Sequence, residues 1–162
     1  MAVAVGDKIP DVEAKVLSAE GMPESVSTGQ LLGSGKVVLF GLPGAFTPGC
    51  SKAHLPSYVD GAADLAGKGV EKIVCVSIND VWVQDAWAEA QGAKGAITML
   101  ADGNGTFSEA MGMTFDGSGY GLGTRSLRYA AVVENGIVTA LHLEENPGQI
   151  EASTCQAVLA DL

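Results

Sequence analysis

The sequence predicts an α/β protein, a central mixed β-sheet flanked by helices. Two observations carry that prediction. Residues 36–41 and 72–78 are short apolar runs rich in β-formers, and between them lies a stretch with helical spacing. Strand, helix, strand in that order is a parallel pair joined by a crossover helix. Later, Asn135-Gly136 stands between two β-rich runs, the strongest local hairpin signal, so the sheet must also have an antiparallel part.

The elements follow in order. Residues 12–17 and 24–28 form a small hairpin around Gly21. Residues 36–41 (Lys-Val-Val-Leu-Phe-Gly) make a buried central strand. Leu55, Tyr58, Val59, Ala62, Ala63 and Leu65 give residues 51–65 an apolar helical face, which Pro56 should kink. Residues 72–78 are the second buried strand. Asp80 can cap a helix over 81–91. A short strand at 97–100 and a short helix at 106–111 flank the turn-like Asp102-Gly103-Asn104-Gly105. Residues 128–134 and 137–143 are the hairpin strands, and a helix over 149–162 closes the chain. No repeat, low-complexity tract or Pro/Ser-rich linker divides the sequence, so residues 1–162 read as a single domain.

Composition narrows the function. A chain of 162 residues, 47% hydrophobic, is large and apolar enough to build a core. Nine basic against nineteen acidic residues give a net charge of −10, which works against nucleic acid and anionic membrane as partners. The apolar runs are too short to cross a bilayer. The opening Met-Ala-Val-Ala-Val does not read as a secretory signal, which points to the cytoplasm. Prior removal of a targeting peptide would instead place the protein in a chloroplast stroma or mitochondrial matrix. Three cysteines, an odd number, argue for free thiols in a reducing compartment and against a disulfide framework.

Pro43-Gly44-Ala45-Phe46-Thr47-Pro48-Gly49-Cys50 joins the first central strand to its helix. Pro48 and Gly49 turn the chain, so Cys50 falls in or just before the first helical turn. Free backbone N–H groups and the helix dipole there favour the ionised thiol. Thr47, three residues earlier, can bring a hydroxyl beside the sulfur. The position alone fits an inert buried cysteine equally well.

The spacing Pro43-x-x-x-Thr47-x-x-Cys50 resembles the active-site signature of peroxiredoxins. Extended through Ser51-Lys52 and His54-Leu55-Pro56, it is similar to the type II, peroxiredoxin-5-like branch. Val76-Ser-Ile-Asn-Asp80, Asp102-Gly-Asn-Gly105 and Gly121-Leu-Gly-Thr-Arg-Ser-Leu-Arg-Tyr129 continue the resemblance over most of the chain. It implies a thioredoxin-like fold and a thiol peroxidase that reduces hydrogen peroxide and alkyl hydroperoxides through a Cys50 sulfenic acid, in cell redox homeostasis and antioxidant defence. It further implies that Cys50 is the attacking thiolate, that Thr47 hydrogen-bonds sulfur and peroxide, and that Pro43 shields the pocket from water. Arg128 matches the family's active-site arginine, a fixed cation beside the sulfur; Arg125 is its rival. Gly44 would give approach room, and Gly49, with Cys50, would offer N–H donors to the substrate. No cofactor and no metal is expected, and the reductant is glutaredoxin with glutathione, or thioredoxin.

The sulfenic acid must be captured by another thiol. Cys75 has the spacing from Cys50 that resembles plant-type members, yet it sits in an apolar run where a buried inert thiol is equally expected. Cys155 resembles the resolving cysteine of animal-type members, displaced by about a helical turn. A thiol from outside the chain is the favoured route, with Cys75 second. His54 is expected at the surface. Trp82 and Trp87 are core or helix-face residues, with Trp82 the candidate for a homodimer contact. Ala53 rules out a Cys-x-x-Cys centre, 30–36 fails as a phosphate loop, and the glycines at 117, 119, 121 and 123 read as a flexible loop. A Cys–His hydrolase and a slowly oxidised redox sensor are the rival classes.

Overall fold

The computed structural model describes residues 1–162. Strands β3 (Lys36–Gly41) and β4 (Lys72–Ser77) run parallel at the centre of the sheet. Their side chains are apolar on both faces, so both faces must be covered. Alternation sorts them: Val38, Phe40, Ile73 and Cys75 enter one core, Val37, Leu39, Val74 and Val76 the other.

Strand β5 (Thr98–Ala101) extends the parallel part, and β8 (Tyr129–Glu134) pairs antiparallel with β3 on the other side. The chain then returns as β9 (Ile137–Leu143) through Asn135 and Gly136, whose φ angles of 50° and 83° are those of the tight turn this dipeptide favours. The hairpin of β1 (Glu13–Leu17) and β2 (Pro23–Ser27) joins the β5 edge. The seven-stranded order is β2-β1-β5-β4-β3-β8-β9. Helices α2 (Leu55–Gly67), α3 (Val81–Ala90) and α5 (Cys155–Leu159) cover the first face. Helices α1 (Thr28–Leu32) and α4 (Thr106–Ala110) cover the second. This is the mixed sheet between helices of a thioredoxin-like fold. No helix is long and apolar enough to cross a membrane.

Four local expectations need correction. The helix expected over 149–162 is only α5, begun by the Thr154 hydroxyl, which accepts from Ala157 N–H at 3.2 Å. Upstream, the Glu144 carboxylate takes the N–H groups of Glu151, Ala152 and Ser153 at 2.9, 3.1 and 2.9 Å, so that segment wraps a side chain instead of coiling on itself. Pro56 does not kink the interior of its helix. It lies in the first turn of α2, where its missing N–H matters least, and the irregularity precedes it as a π-turn, Cys50–His54. Within α2, Ala63 is exposed and Gly61 is the buried contact. Finally, the glycine-rich loop is a closed ribbon, β6 (Thr114–Asp116) with β7 (Thr124–Ser126), bridged by a 3₁₀ turn, Ser118–Tyr120.

Candidate active site

The loop leaving β3 is anchored from three sides before it reaches Cys50. Ala45 N–H donates to Asn79 Oδ1 at 2.9 Å, and the Ser77 hydroxyl bonds the same oxygen at 2.8 Å. Arg125 Nη1 donates to the Pro43 carbonyl at 3.2 Å. Thr47 closes the turn, its hydroxyl donating to Gly44 O at 2.7 Å, and its carbonyl accepts from Ser51 N–H at 3.0 Å. Phe46, at φ 63°, takes the left-handed conformation that makes this reversal possible, and its ring is exposed.

Cys50 therefore enters a helical turn at its first residues, and the N–H groups of Gly49 and Cys50 have no acceptor within the chain. The sulfur is buried. Arg128, from the segment between β7 and β8, places Nη2 at 3.4 Å from Cys50 Sγ. Nε of the same guanidinium donates to Pro147 O at 2.9 Å, and Nη1 lies 3.0 Å from His54 Nδ1. Next to Cys50 lies a cleft of about 550 Å³, lined by its neighbour Gly49 and by Pro43, Thr47, Arg128, Tyr120 and Leu122. Gly49 leaves no slack: a Cβ there would come within 2.9 Å of Ile150 Cδ1 and 3.3 Å of Arg128 Nη2.

The structure thus brings Pro43, Thr47, Gly49, Cys50 and Arg128 together. It separates the two arginines, since Arg125 braces the Pro43–Gly44 loop and fills the space a Cβ on Gly44 would need. The Thr47 hydroxyl spends its proton on Gly44 O and not on the sulfur. A buried cysteine sulfur beside a guanidinium, next to a cleft, can attack an electrophile that expels a negatively charged group.

The chain matches the family Redoxin over residues 4–159. It belongs to the Redoxin family. It is 42% identical to peroxiredoxin-2C of Oryza sativa subsp. japonica, covering 99% of this chain and 98% of that protein. Chloroplastic peroxiredoxin-2E-2 of the same rice is also 42% identical, over 99% of this chain and 72% of that one. Reduced Prx3 of Vibrio vulnificus, solved in complex with H2O2, superposes with a TM-score of 0.92 at 43% identity and 98% coverage of both chains. The resemblance read from the Pro43–Cys50 motif is thereby borne out.

The two candidate resolving thiols both lie inside the core. Cys75 and Cys155 are free, buried and in the same apolar cluster as Cys50. Burial, and then the nearby Cys50, hold the Cys75 thiol well above the usual thiol range. Burial, and then Asp64, push Cys155 up to about 11. No group of three or more His, Cys, Asp or Glu side chains is arranged to hold a metal.

His54 is not at the surface. It is fully buried, with Nε2 3.0 Å from Ser153 O and its ring against Phe40 and Tyr58. Its place was foreshadowed only by the four-residue step from Cys50, which sets the two on one helical face. Asn79, Glu144 and Ser153 carry no comparable signal; each acts through a backbone contact that sequence spacing does not reveal. Trp87 is core, whereas Trp82 is 53% exposed and donates from Nε1 to Gly21 O at 3.0 Å.

Proposed function

We propose that this protein is a thiol-dependent peroxidase in which Cys50 reduces hydrogen peroxide and alkyl hydroperoxides. One observation carries the reading: the Arg128 Nη2 to Cys50 Sγ contact of 3.4 Å, beside a cleft that Arg128 and Gly49 line. The Cys50 thiolate attacks the terminal oxygen of ROOH. An S–O bond forms, the O–O bond breaks with its electron pair, and the departing alkoxide leaves as ROH after taking a proton. Sulfur is oxidised to sulfenic acid and the peroxide is reduced. Arg128 faces the developing negative charge, and the unpaired N–H groups of Gly49 and Cys50 are the backbone donors nearest it. In this reading Pro43 screens the sulfur from water, and Thr47, held by Gly44, presents its hydroxyl oxygen to the protonated end of the peroxide.

A thiol then attacks the sulfenic sulfur, giving a mixed disulfide and water, and a second thiol releases Cys50 and forms a disulfide with the first. Glutathione with glutaredoxin, or thioredoxin, supplies them. The depth of Cys75 and Cys155, and burial's bias against their ionised forms, support a thiol from outside. Three free thiols suit a reducing compartment, the cytoplasm or else a chloroplast stroma or mitochondrial matrix. Residues 1–162 act as one domain, and exposed Trp82 is the proposed homodimer contact, which sedimentation equilibrium tests.

Cys50→Ser should abolish peroxide consumption, while Cys75→Ser should keep most of it with glutaredoxin as reductant. Turnover without Cys50 would refute the assignment, and a dead Cys75→Ser would move the resolving step inside the chain. Mass spectrometry after one equivalent of peroxide reads the same alternatives directly, as sulfenic acid at Cys50 or a disulfide to Cys75 or Cys155.

A further inference from the structure

The loop that leads to Cys50 holds a strained residue. Phe46 stands in the left-handed region, at φ 63°, which a large side chain rarely enters and which persists only where neighbours over-determine it. Phe46 does not restrain itself. Its ring is exposed, and neither its N–H nor its carbonyl bonds within the chain. The restraint lies on either side. After Phe46, the Thr47 hydroxyl closes the turn on Gly44 O at 2.7 Å, both groups belonging to the loop itself. Before Phe46, the N–H of Ala45 is held at 2.9 Å by Asn79 Oδ1, which comes from the far end of β4.

Register explains the meeting. Strands β3 and β4 run parallel and end together, with Leu42 N–H still bonding Val76 O at 3.3 Å. Three residues beyond that pair, on one chain segment and on the other, stand Ala45 and Asn79. Asp80 then caps α3 by accepting Val83 N–H at 2.9 Å, which fixes the direction in which the chain leaves Asn79. The Asn79 side chain is aimed as well. An N–H only donates, so the amide must turn its oxygen to Ala45. The hydroxyl of fully buried Ser77 donates to that same oxygen at 2.8 Å, and a carbonyl has lone pairs for both.

We infer that Asn79 is a positioning residue, an acceptor that holds the strained Phe46 reversal and so aligns Thr47 with Cys50. The inference rests on the peroxidase reading of Cys50. Thr47 follows the strained residue directly, and its carbonyl accepts from Ser51 N–H at 3.0 Å, opening the turn that carries the sulfur. Once Ala45 is released, Phe46 relaxes towards ordinary backbone angles and the Thr47 hydroxyl no longer faces the peroxide. Asn79 carries no charge, so its loss leaves the Arg128 contact with Cys50 Sγ in place.

Asn79→Leu keeps the branched shape and deletes the acceptor. Its second-order reaction with hydrogen peroxide should slow about 10-fold, the scale of one buried hydrogen bond left unmade. Alkylation of Cys50 by iodoacetamide needs the sulfur but not Thr47, and should stay within about twofold of the parent. Asn79→Asp returns an oxygen to the same place and should bring the peroxide rate back to within about threefold. Amide hydrogen exchange of the unmodified protein should show Ala45 protected and Phe46 unprotected. A folded Asn79→Leu protein that consumes peroxide as fast as the parent overturns the inference, as does one whose alkylation slows in equal measure. An Asn79→Asp protein as slow as Asn79→Leu overturns it too. Should Asn79→Leu fail to fold, exchange in the parent decides: an Ala45 amide that exchanges as freely as that of Phe46 refutes the restraint. If the parent itself shows no Cys50-dependent reaction, the peroxidase reading has failed, and loss of Ala45 protection in Asn79→Leu still reports whether Asn79 holds the turn.

Discussion

Arg128→Met keeps a straight apolar stem of similar length and deletes every donor at the end of it. Three bonds are lost: to Pro147 O at 2.9 Å, to His54 Nδ1 at 3.0 Å and to Cys50 Sγ at 3.4 Å. Only the last touches the Cys50 sulfur. A single charge-assisted hydrogen bond is worth about 1.5–3 kcal/mol. At about 1.36 kcal/mol per decade of rate, that slows the attack on peroxide by about 10- to 150-fold. A second cost falls on folding. His54 Nδ1 is left buried with no donor, at about 1–3 kcal/mol, whereas Pro147 is only part-buried and water can replace its donor. The two costs separate by experiment. Stopped-flow tryptophan fluorescence follows sulfur oxidation, because Trp87 Nε1 donates to Ser51 Oγ at 2.9 Å, one residue from Cys50. Thermal melting follows stability. Arg128→Lys restores the charge, but one ammonium cannot serve three directions at once, so its rate should fall between parent and Arg128→Met. A folded Arg128→Met protein reacting within threefold of the parent would refute the electrostatic argument for this site.

Gly61→Ala would drive a methyl group into Cys155 Sγ where α2 packs on α5, and should destabilise the fold by about 1–3 kcal/mol. Adding Cys155→Ala clears the space, so urea unfolding should show strong coupling; purely additive losses would refute the packing account. Acid offers another check. His54 is neutral in the fold, at about 3, and takes a proton near 6.5 once unfolded, so the unfolded chain binds the extra proton between those values. Stability should therefore fall on acidification from pH 6.5 towards 3, with His54 contributing at most about 1.4 kcal/mol per pH unit. Burial pushes Glu144 up, but its bonds from Ser153, Glu151 and Ala152 outweigh that and hold it low, so its contribution is also lost as pH falls. In His54→Asn the curve between pH 6.5 and 4.5 should be flatter; an unchanged slope there would sink the assignment of that proton to His54.

What the sequence disclosed and what it withheld divide along a physical line. The crossover unit, the Asn135-Gly136 hairpin and the Asp80 cap were legible because alternation, turn chemistry and capping are settled within a few residues. So was the place of Cys50 in a first helical turn, since Pro48 and Gly49 open that turn. The helix expected over 149–162 failed for the opposite reason. Its N–H groups had a competing acceptor in Glu144, brought there by β9, and no local pattern records that competition. Nor could chemistry choose between Arg125 and Arg128, which lie three residues apart and carry the same charge. The resemblance chose, and the fold supplies the cause: β7 turns Arg125 back onto the Pro43 carbonyl, while the next segment carries Arg128 to the sulfur. His54 lies on the same line. Its step from Cys50 was visible in the sequence, but the guanidinium that holds it comes from 74 residues away. A motif can thus place the reacting atom, whereas the field around that atom belongs to contacts between distant parts of the chain.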